Sequence, residues 1–371
     1  MLFRSAMAYT ERETRKLVVE AGRRLLERGL VARTWGNISA RVSDTNFIIT
    51  PSGMAYDTMT EDHLVLVDGR DGSYQGERKP SSERGIHADA YRLRPEVNFV
   101  IHTHQDMASV CSTAGRDLTA DHPLLGGRVP CAAYGLPSSK ALRRAAERVV
   151  AGYPDSPAFL LRSHGALCLG RDMEDAFAVS AALEEVCARQ IQSVLDTPSL
   201  PARIPDYGES VLEGDAFRLM IGERERIFSL GEARLPPAAA LHAAIYRAGL
   251  GKAVLHVRDR DVIAVSASRR TLRPMVDDLA QIAGADIRWA PPVPGRVARA
   301  LRGRNAVLLP GAGALCVGPD REEAEAVSHL LKKGCLARRF ADAVPGCRPL
   351  NRMDALFQRA FYVTQYAKRK G

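Results

Sequence analysis

Absences narrow this 371-residue chain first. Its cysteines number seven, at 111, 131, 168, 187, 316, 335 and 347, with no CxxC pair among them. That excludes a disulfide scaffold or a zinc ribbon and fits reduced thiols, so any metal must find other ligands. No segment approaches the run of about 18 apolar residues that a membrane span needs. The start, MLFRSAMAYTERETRKL, has no apolar stretch long enough for a signal peptide, and after Arg4 charged residues crowd in from Glu11. A cytoplasmic protein with no membrane partner is expected. There is no low-complexity tract, and 46% hydrophobic with 26% charged residues is the composition of a folded protein, not a disordered or fibrous one. The length suits two domains, each with its own core.

Charge decides little. A net charge of +9 permits an anionic substrate, but Lys and Arg are spread along the chain apart from the AKRKG terminus. No nucleic-acid module is visible, so none is expected as a partner.

Apolar periodicity predicts a helix over 11–29, with Val18, Ala21 and Leu25 on one side and Gly29 at its end. NFIITPSG (46–53) reads as a strand entering a turn, and HLVLVDG (63–69) as a strand closed by Asp-Gly. SSERGIHADAYRLR (81–94) has helical spacing with serines suited to an N-cap. VNFVIHTH follows as a strand, residues 138–151 as a helix, and PAFLLRSHGALCLG (157–170) as a strand pair broken at Arg162 to His164. A long helix over 172–195 closes this half. Alternating strands and helices predict an α/β or α+β domain with helices packed on a sheet.

The second half repeats the first. Residues 308–340, beginning LLPGAGALCVG, lie over 160–191, beginning LLRSHGALCLG, with seven of these eleven positions identical. LHAAIYRAGLGKAVLHVRD (241–259) lies over IHADAYRLRPEVNFVIHTHQD. Such a long period predicts a tandem duplication. The expected layout is a catalytic domain over 1–200, a proline-bearing linker over 201–212, a degenerate copy over 213–345 and a tail over 346–371. The copy keeps the apolar frame and loses polar groups: Arg258 replaces His104, Ala312 replaces His164, and Pro236, Pro237 and Ala238 replace Ser81, Ser82 and Glu83. Only His256 matches, at the position of His102.

In FVIHTHQD (99–106), side chains two apart on a strand point the same way, about 7 Å apart along the chain, so His102 and His104 can lean onto one ion. His164, in RSHG, is the third candidate, and a catalytic zinc takes three protein ligands. A lone histidine is more often a surface or hydrogen-bonded core residue, the reading given to His63, His87, His122, His242, His256 and His329. Loss of the pattern in the copy raises the odds for the three. Glu83 fits either a carboxylate favoured by a helix dipole or a general base beside a metal. WGNIS with Gly36 and Asn37, TPSGM with Ser52 and Gly53, and PSSE with Ser81 and Ser82 are each ordinary turns. Together they read as an anion cradle of backbone N–H groups and hydroxyls.

Taken in order, GNIS, ITPSGM, KPSSE, VIHTH and LLRSHGAL resemble the class II aldolase/adducin family over roughly residues 10–200. The family includes fuculose-phosphate aldolases and ribulose-phosphate epimerases. The resemblance implies a three-layer α/β fold with a central, mainly antiparallel sheet flanked by helices. It implies that His102, His104 and His164 bind Zn2+ or another divalent ion (Mn2+, Co2+ or Fe2+). It makes Glu83 the catalytic acid/base and assigns Asn37, Ser52, Gly53, Ser81 and Ser82 to a substrate phosphate. The implied activity is metal-dependent aldol cleavage or formation on a small sugar phosphate. Epimerase, dehydratase or decarboxylase chemistry on the same site, and a non-enzymatic adducin-like scaffold, are the alternatives. The family's fuculose-phosphate aldolases bring a tyrosine from a neighbouring subunit after the His-X-His strand, where this chain has His122 and Pro123 in TADHPLLGG. Another group then protonates the aldehyde side, or the substrate differs. Because the family's enzymes are four-fold tetramers, the duplicated chain is expected to form a homodimer, a four-domain pseudo-tetrameric ring into which Tyr362 or Tyr366 could reach.

Overall fold

The structure, a computed structural model, describes residues 9–30 and 35–366. Residues 1–8, read against a signal peptide, and 367–371, with the basic terminus, lie outside the described residues, as does the side chain of Tyr366. The chain divides into two compact units, Met1–Val194 and Leu195–Gly371. Among the described residues no helix is long and apolar enough to cross a membrane.

The first unit opens with α1 (Glu11–Glu27), started by a capping box in which Thr10 and Glu13 each bond the other's backbone N–H. β1 (Asn37–Arg41), β2 (Asn46–Ile49), β3 (Val65–Asp68), α2 (Arg84–Leu93), β4 (Phe99–Thr103) and α3 (Asp106–Ser112) follow. Then come β5 (Leu118–Ala120), β6 (Gly127–Val129), β7 (Cys131–Ala132), α4 (Lys140–Gly152), β8 (Ala158–Leu161), β9 (Gly165–Gly170) and α5 (Met173–Val194). The main sheet runs β3-β2-β1-β4-β9-β8-β7, with only β7 and β8 parallel. β5 and β6 form a separate ribbon. Alternation sets the layers: Phe47, Ile49, Val100 and Phe159 bury against Ile86, Tyr91, Leu142 and Ala145 of α2 and α4. α1, α3 and α5 contact the sheet as well. The mainly antiparallel, helix-flanked sheet is as expected.

The second unit repeats that order. Its elements are β10 (Glu209–Glu213), β11 (Ala216–Ile221), β12 (Arg224–Ser229), α6 (Pro237–Arg247), β13 (Ala253–Val257), α7 (Arg260–Ala267) and α8 (Asp277–Ile282). β14 (Arg288–Trp289), α9 (Pro294–Leu301), β15 (Ala306–Leu309), β16 (Gly313–Gly318), α10 (Arg321–Ala343) and α11 (Arg352–Phe361) complete it. The sheet order, β12-β11-β10-β13-β16-β15-β14, matches the first strand for strand, and its last pair is again parallel. The two units are a tandem duplication.

Local differences from the sequence reading have identifiable causes. β10 begins at Glu209, inside the stretch read as linker, because it pairs with β11 and β13. The segment 346–371, read as a tail, carries α11, which packs on α8, and Tyr362 donates its hydroxyl to Glu323 Oε1 at 2.8 Å within this unit. β3 starts at Val65 because Glu61–His63 form a 3₁₀ turn in which His63 Nδ1 accepts from the Thr60 N–H. Helix α2 starts at Arg84, and its N-cap is Glu83, not a serine. Ser81 Oγ accepts the Glu83 N–H at 3.2 Å instead.

Close backbone approach explains the glycine after His164. A Cβ on Gly165 would sit 2.2 Å from the Thr103 carbonyl oxygen, and one on Gly313 in the copy 2.1 Å from that of Val257. Gly165→Ala is therefore expected to destabilise the protein by about 3 kcal/mol, the upper end of overpacking costs. Urea unfolding reads this, and a loss under about 1 kcal/mol would show that β4 and β9 can part freely.

Candidate metal centre

Three imidazoles meet where β4 ends beside the β8–β9 turn. β4 stops at Thr103, one residue short of the expected strand, yet His104 still turns toward His102, their ring centroids 5.0 Å apart. His164 closes the triangle at 4.8 Å from His102 and 4.5 Å from His104. The turn that delivers it, Arg162 to His164, holds Ser163 at φ 59, the left-handed region that costs a residue with a Cβ. The Ser163 N–H donates to Ser112 Oγ at 3.1 Å, which helps hold the turn. In the copy the same position is Gly311, at φ 68 and free of that strain.

The donor set fits a divalent ion. All three rings are buried, and their candidate ligand nitrogens lie within 4.8 Å of one another, the single group of this kind among the described residues. His102 Nδ1 donates to the Ala166 carbonyl at 2.8 Å, which leaves Nε2 as the bare nitrogen. That Nε2 is buried and makes no hydrogen bond. Neutral imidazole nitrogens in a closed pocket suit zinc and its first-row neighbours. Burial pushes the His102 pKa well down, with Glu83 acting the other way, so the ring is available as a neutral ligand.

Glu83 sits between the rings. Oε2 lies 3.3 Å from His102 Nε2 and Oε1 lies 3.2 Å from His164 Nε2. Burial raises the carboxyl's pKa, but the imidazoles of His164, His102 and His104 outweigh it and hold Glu83 well below the usual carboxylate range. Two donors complete its shell: Asn37 Nδ2–H to Oε2 at 3.1 Å and the Ser138 N–H to Oε1 at 3.3 Å.

The hydroxyl turns lie alongside. Gly36 at φ 86 bends the chain into β1 just ahead of Asn37. Pro51 bridges to Pro80, the Ser52 N–H donates to the Lys79 carbonyl and the Ser81 N–H to the Thr50 carbonyl, each at 3.0 Å. The TPSG turn is thereby laid against the serine pair. Ser52 and Gly53, at φ 72, join only through this ladder, with no hydrogen bond to Glu83 or the histidines among the described residues. Ser82 is exposed and its Oγ lies 2.7 Å from Ser138 Oγ.

Ser138 is the residue the sequence reading missed. Its signal was present: LPSSK at 136–140 repeats the Pro-Ser-Ser of KPSSE at 79–83, each just before a helix. Ser138 adopts φ 62, and Ser139 caps α4 by accepting the Leu142 N–H. His122 uses Nδ1 to accept the Leu124 N–H in a 3₁₀ turn.

The copy shows the same frame without the three-imidazole cluster. His256 Nε2 donates to the Ala312 carbonyl at 2.8 Å and Nδ1 accepts the Tyr207 N–H at 3.0 Å, so both nitrogens are spent on backbone. Arg258, in the place of His104, pairs with Asp206 at 2.9 Å.

The profile of the class II aldolase and adducin N-terminal domain matches residues 16–191 and again 211–337. An L-fuculose phosphate aldolase of Escherichia coli (strain K12) is 31% identical over 189 residues, covering 50% of this chain and 86% of its own. A 5-methylthioribulose-1-phosphate/5-deoxyribulose-1-phosphate aldolase of Rhodospirillum rubrum is 32% identical over 202 residues, covering 53% and 88%. A 5-deoxy-D-ribulose 1-phosphate aldolase of Bacillus thuringiensis serovar kurstaki is 34% identical over 196 residues, covering 50% and 89%. Among solved structures, an L-fuculose 1-phosphate aldolase aligns at 28% identity and a TM-score of 0.46, covering 54% of this chain and 94% of that one. With its domain matched twice along one chain, this protein belongs to the class II aldolase and adducin N-terminal domain family.

Proposed function

We propose that the first unit is a zinc-dependent aldolase that cleaves or forms a carbon–carbon bond of a small ketose 1-phosphate. The observation that carries this reading is Glu83 placed between three converging imidazoles, its two oxygens 3.2 and 3.3 Å from His164 and His102. A divalent ion held by His102, His104 and His164 would supply Lewis-acid stabilisation of the negative charge that develops when the bond breaks.

The chain's own residues do the rest. In the cleavage direction the Glu83 carboxylate takes up the proton that the substrate's C4 hydroxyl releases as the C3–C4 bond breaks and returns it to C3 of the enediolate, and in the synthetic direction it takes the C3 proton and gives it up as the aldehyde oxygen is protonated. Hydrogen bonds from Asn37 and the Ser138 N–H aim the carboxylate. The substrate phosphate sits against the Ser52–Gly53 turn and the Ser81–Ser82 pair, whose hydroxyls and backbone N–H groups need no cationic side chain to bind it. The named sugar-phosphate relatives support this substrate class.

The test is release of dihydroxyacetone phosphate from fuculose 1-phosphate, 5-deoxyribulose 1-phosphate and 5-methylthioribulose 1-phosphate by the zinc-loaded full chain. A coupled dehydrogenase assay reads it, and at least one substrate is expected to turn over at about 1 s⁻¹ or faster. No release from any of them would sink the aldolase reading, and an epimeric ketose phosphate in its place would turn the assignment to epimerase.

A further inference from the structure

Behind Glu83 runs a line of buried polar groups that begins at Asn37, a residue also read as part of the anion cradle, and continues through side chains that neither the metal nor the cradle uses. Asn37 on β1 gives Nδ2–H to Glu83 Oε2, and its Oδ1 meets Nε2 of His87 on α2. His87 Nδ1 lies 2.6 Å from Ser39 Oγ, and that oxygen lies 2.7 Å from the Tyr91 hydroxyl. The spacing is built into the elements. Asn37 and Ser39, two apart on a strand, share a face, and His87 and Tyr91, four apart on a helix, do the same. All four side chains are buried.

Each proton in this line is fixed from the carboxylate end. Asn37 presents its NH₂ to Glu83 Oε2 and so its carbonyl oxygen to His87. His87 must then carry its proton on Nε2, leaving Nδ1 to accept from Ser39, whose oxygen accepts from Tyr91. Burial pushes the His87 pKa down to about 3, so the ring stays neutral with one N–H to give. A carboxamide interrupts the line and does not pass protons readily, so the arrangement orients groups and is no proton wire.

The second unit separates the two jobs such a line could do. Ser210, His242 and Tyr246 rebuild the serine–histidine–tyrosine triple, with Ser210 Oγ bonded to His242 Nδ1 and to the Tyr246 hydroxyl. Gly208, however, stands where Asn37 would, across from His256 as Asn37 is across from His102, and Ala238 stands where Glu83 would. His242 Nε2 is buried with no hydrogen-bond partner. The triple therefore joins helix to sheet in both units, and only in the first does an asparagine couple it to a carboxylate.

We infer that His87 is a positioning residue: through Asn37 it fixes the rotamer of the Glu83 carboxylate, an addition that rests on the aldolase reading above. Misplacing a reacting group by about 1 Å costs on the order of 10²-fold in rate, which sets the scale of the effect. His87→Asn keeps a polar group beside Ser39 but is too short to reach Asn37, whereas His87→Gln reaches it with an amide donor. His242→Asn repeats the structural change where no carboxylate waits.

With the zinc-loaded full chain and a ketose 1-phosphate, H87N is expected to lose about 10- to 100-fold in kcat with KM and bound zinc unchanged. H87Q should recover most of that loss, and H242N should keep wild-type kcat. Independently of activity, a crystal structure of H87N should show the Asn37 amide beyond hydrogen-bond reach of Glu83 Oε2. Wild-type kcat in H87N, an equal loss in H242N, failure of H87Q to restore the rate, or an intact Asn37–Glu83 bond in the H87N crystal would each overturn the inference. If the wild-type chain cleaves no ketose phosphate, the aldolase reading fails on that result alone, and the crystal structure still decides whether His87 positions Glu83.

Discussion

Glu83→Gln is expected to lower kcat for ketose phosphate cleavage by about 10²- to 10⁴-fold, the usual worth of a positioned acid/base group, while the protein folds and keeps its metal. The substitution preserves volume and leaves the three imidazoles in place. It removes the proton acceptor and the negative charge that the site is arranged around. Both oxygens of Glu83 receive donors, Asn37 Nδ2–H at 3.1 Å and the Ser138 N–H at 3.3 Å, so an amide nitrogen must face one of them donor to donor. That mismatch in a buried site adds a local cost of about 1–3 kcal/mol, which thermal unfolding reads separately from the rate. Metal content by mass spectrometry should match wild type, because the carboxylate is not among the three ligands. A variant that keeps its metal and cleaves within about threefold of wild type would remove Glu83 from the chemistry.

The fold was legible because its signals are apolar and local. Runs of β-branched and aromatic residues in NFII and FVIHT placed β2 and β4, and helical spacing placed α1, α2, α4 and α5 within a few residues. The repeat of GALCLG as GALCVG exposed the duplication, since the close approach of β4 to β9 demands glycine in both copies. What stayed hidden depends on pairing between distant segments. No local rule places Ser138 against Glu83, because 55 residues and two strands of the main sheet separate them. From its residues alone Glu83 fits a helix-dipole carboxylate as well as a base beside a metal, and only the tertiary structure shows its side chain turned from the cap toward the histidines. The sequence leaves His87 as either a surface or a hydrogen-bonded core histidine, and the structure makes it the second. Its link to Glu83 passes through Asn37, a residue the family resemblance assigned to phosphate.

The second unit makes the ligand experiment unusually clean. Removing the His164 imidazole as His164→Ala reproduces what the copy already has, Ala312 buried in the matching turn between β15 and β16. The frame tolerates alanine there, so H164A should unfold within about 4 °C of metal-free wild type, equivalent to about 1 kcal/mol for a unit of this size. Its metal site, cut from three protein ligands to two, should fail. Altering even an outer partner of a ligand typically costs 10- to 100-fold in metal affinity, so loss of a ligand should exceed about 10²-fold. After dialysis against a weak chelator, wild type should retain about one ion per chain and H164A almost none, with ketose phosphate cleavage lost in proportion. Ala312→His restores an imidazole to the copy, yet His256 has both nitrogens bonded to backbone groups and Arg258 occupies the place of His104 with its charge paired to Asp206. A312H should therefore bind no second ion, because one imidazole beside a fixed guanidinium is not a metal site. An H164A chain that still holds a full equivalent of metal would show that these three rings are not where the ion sits.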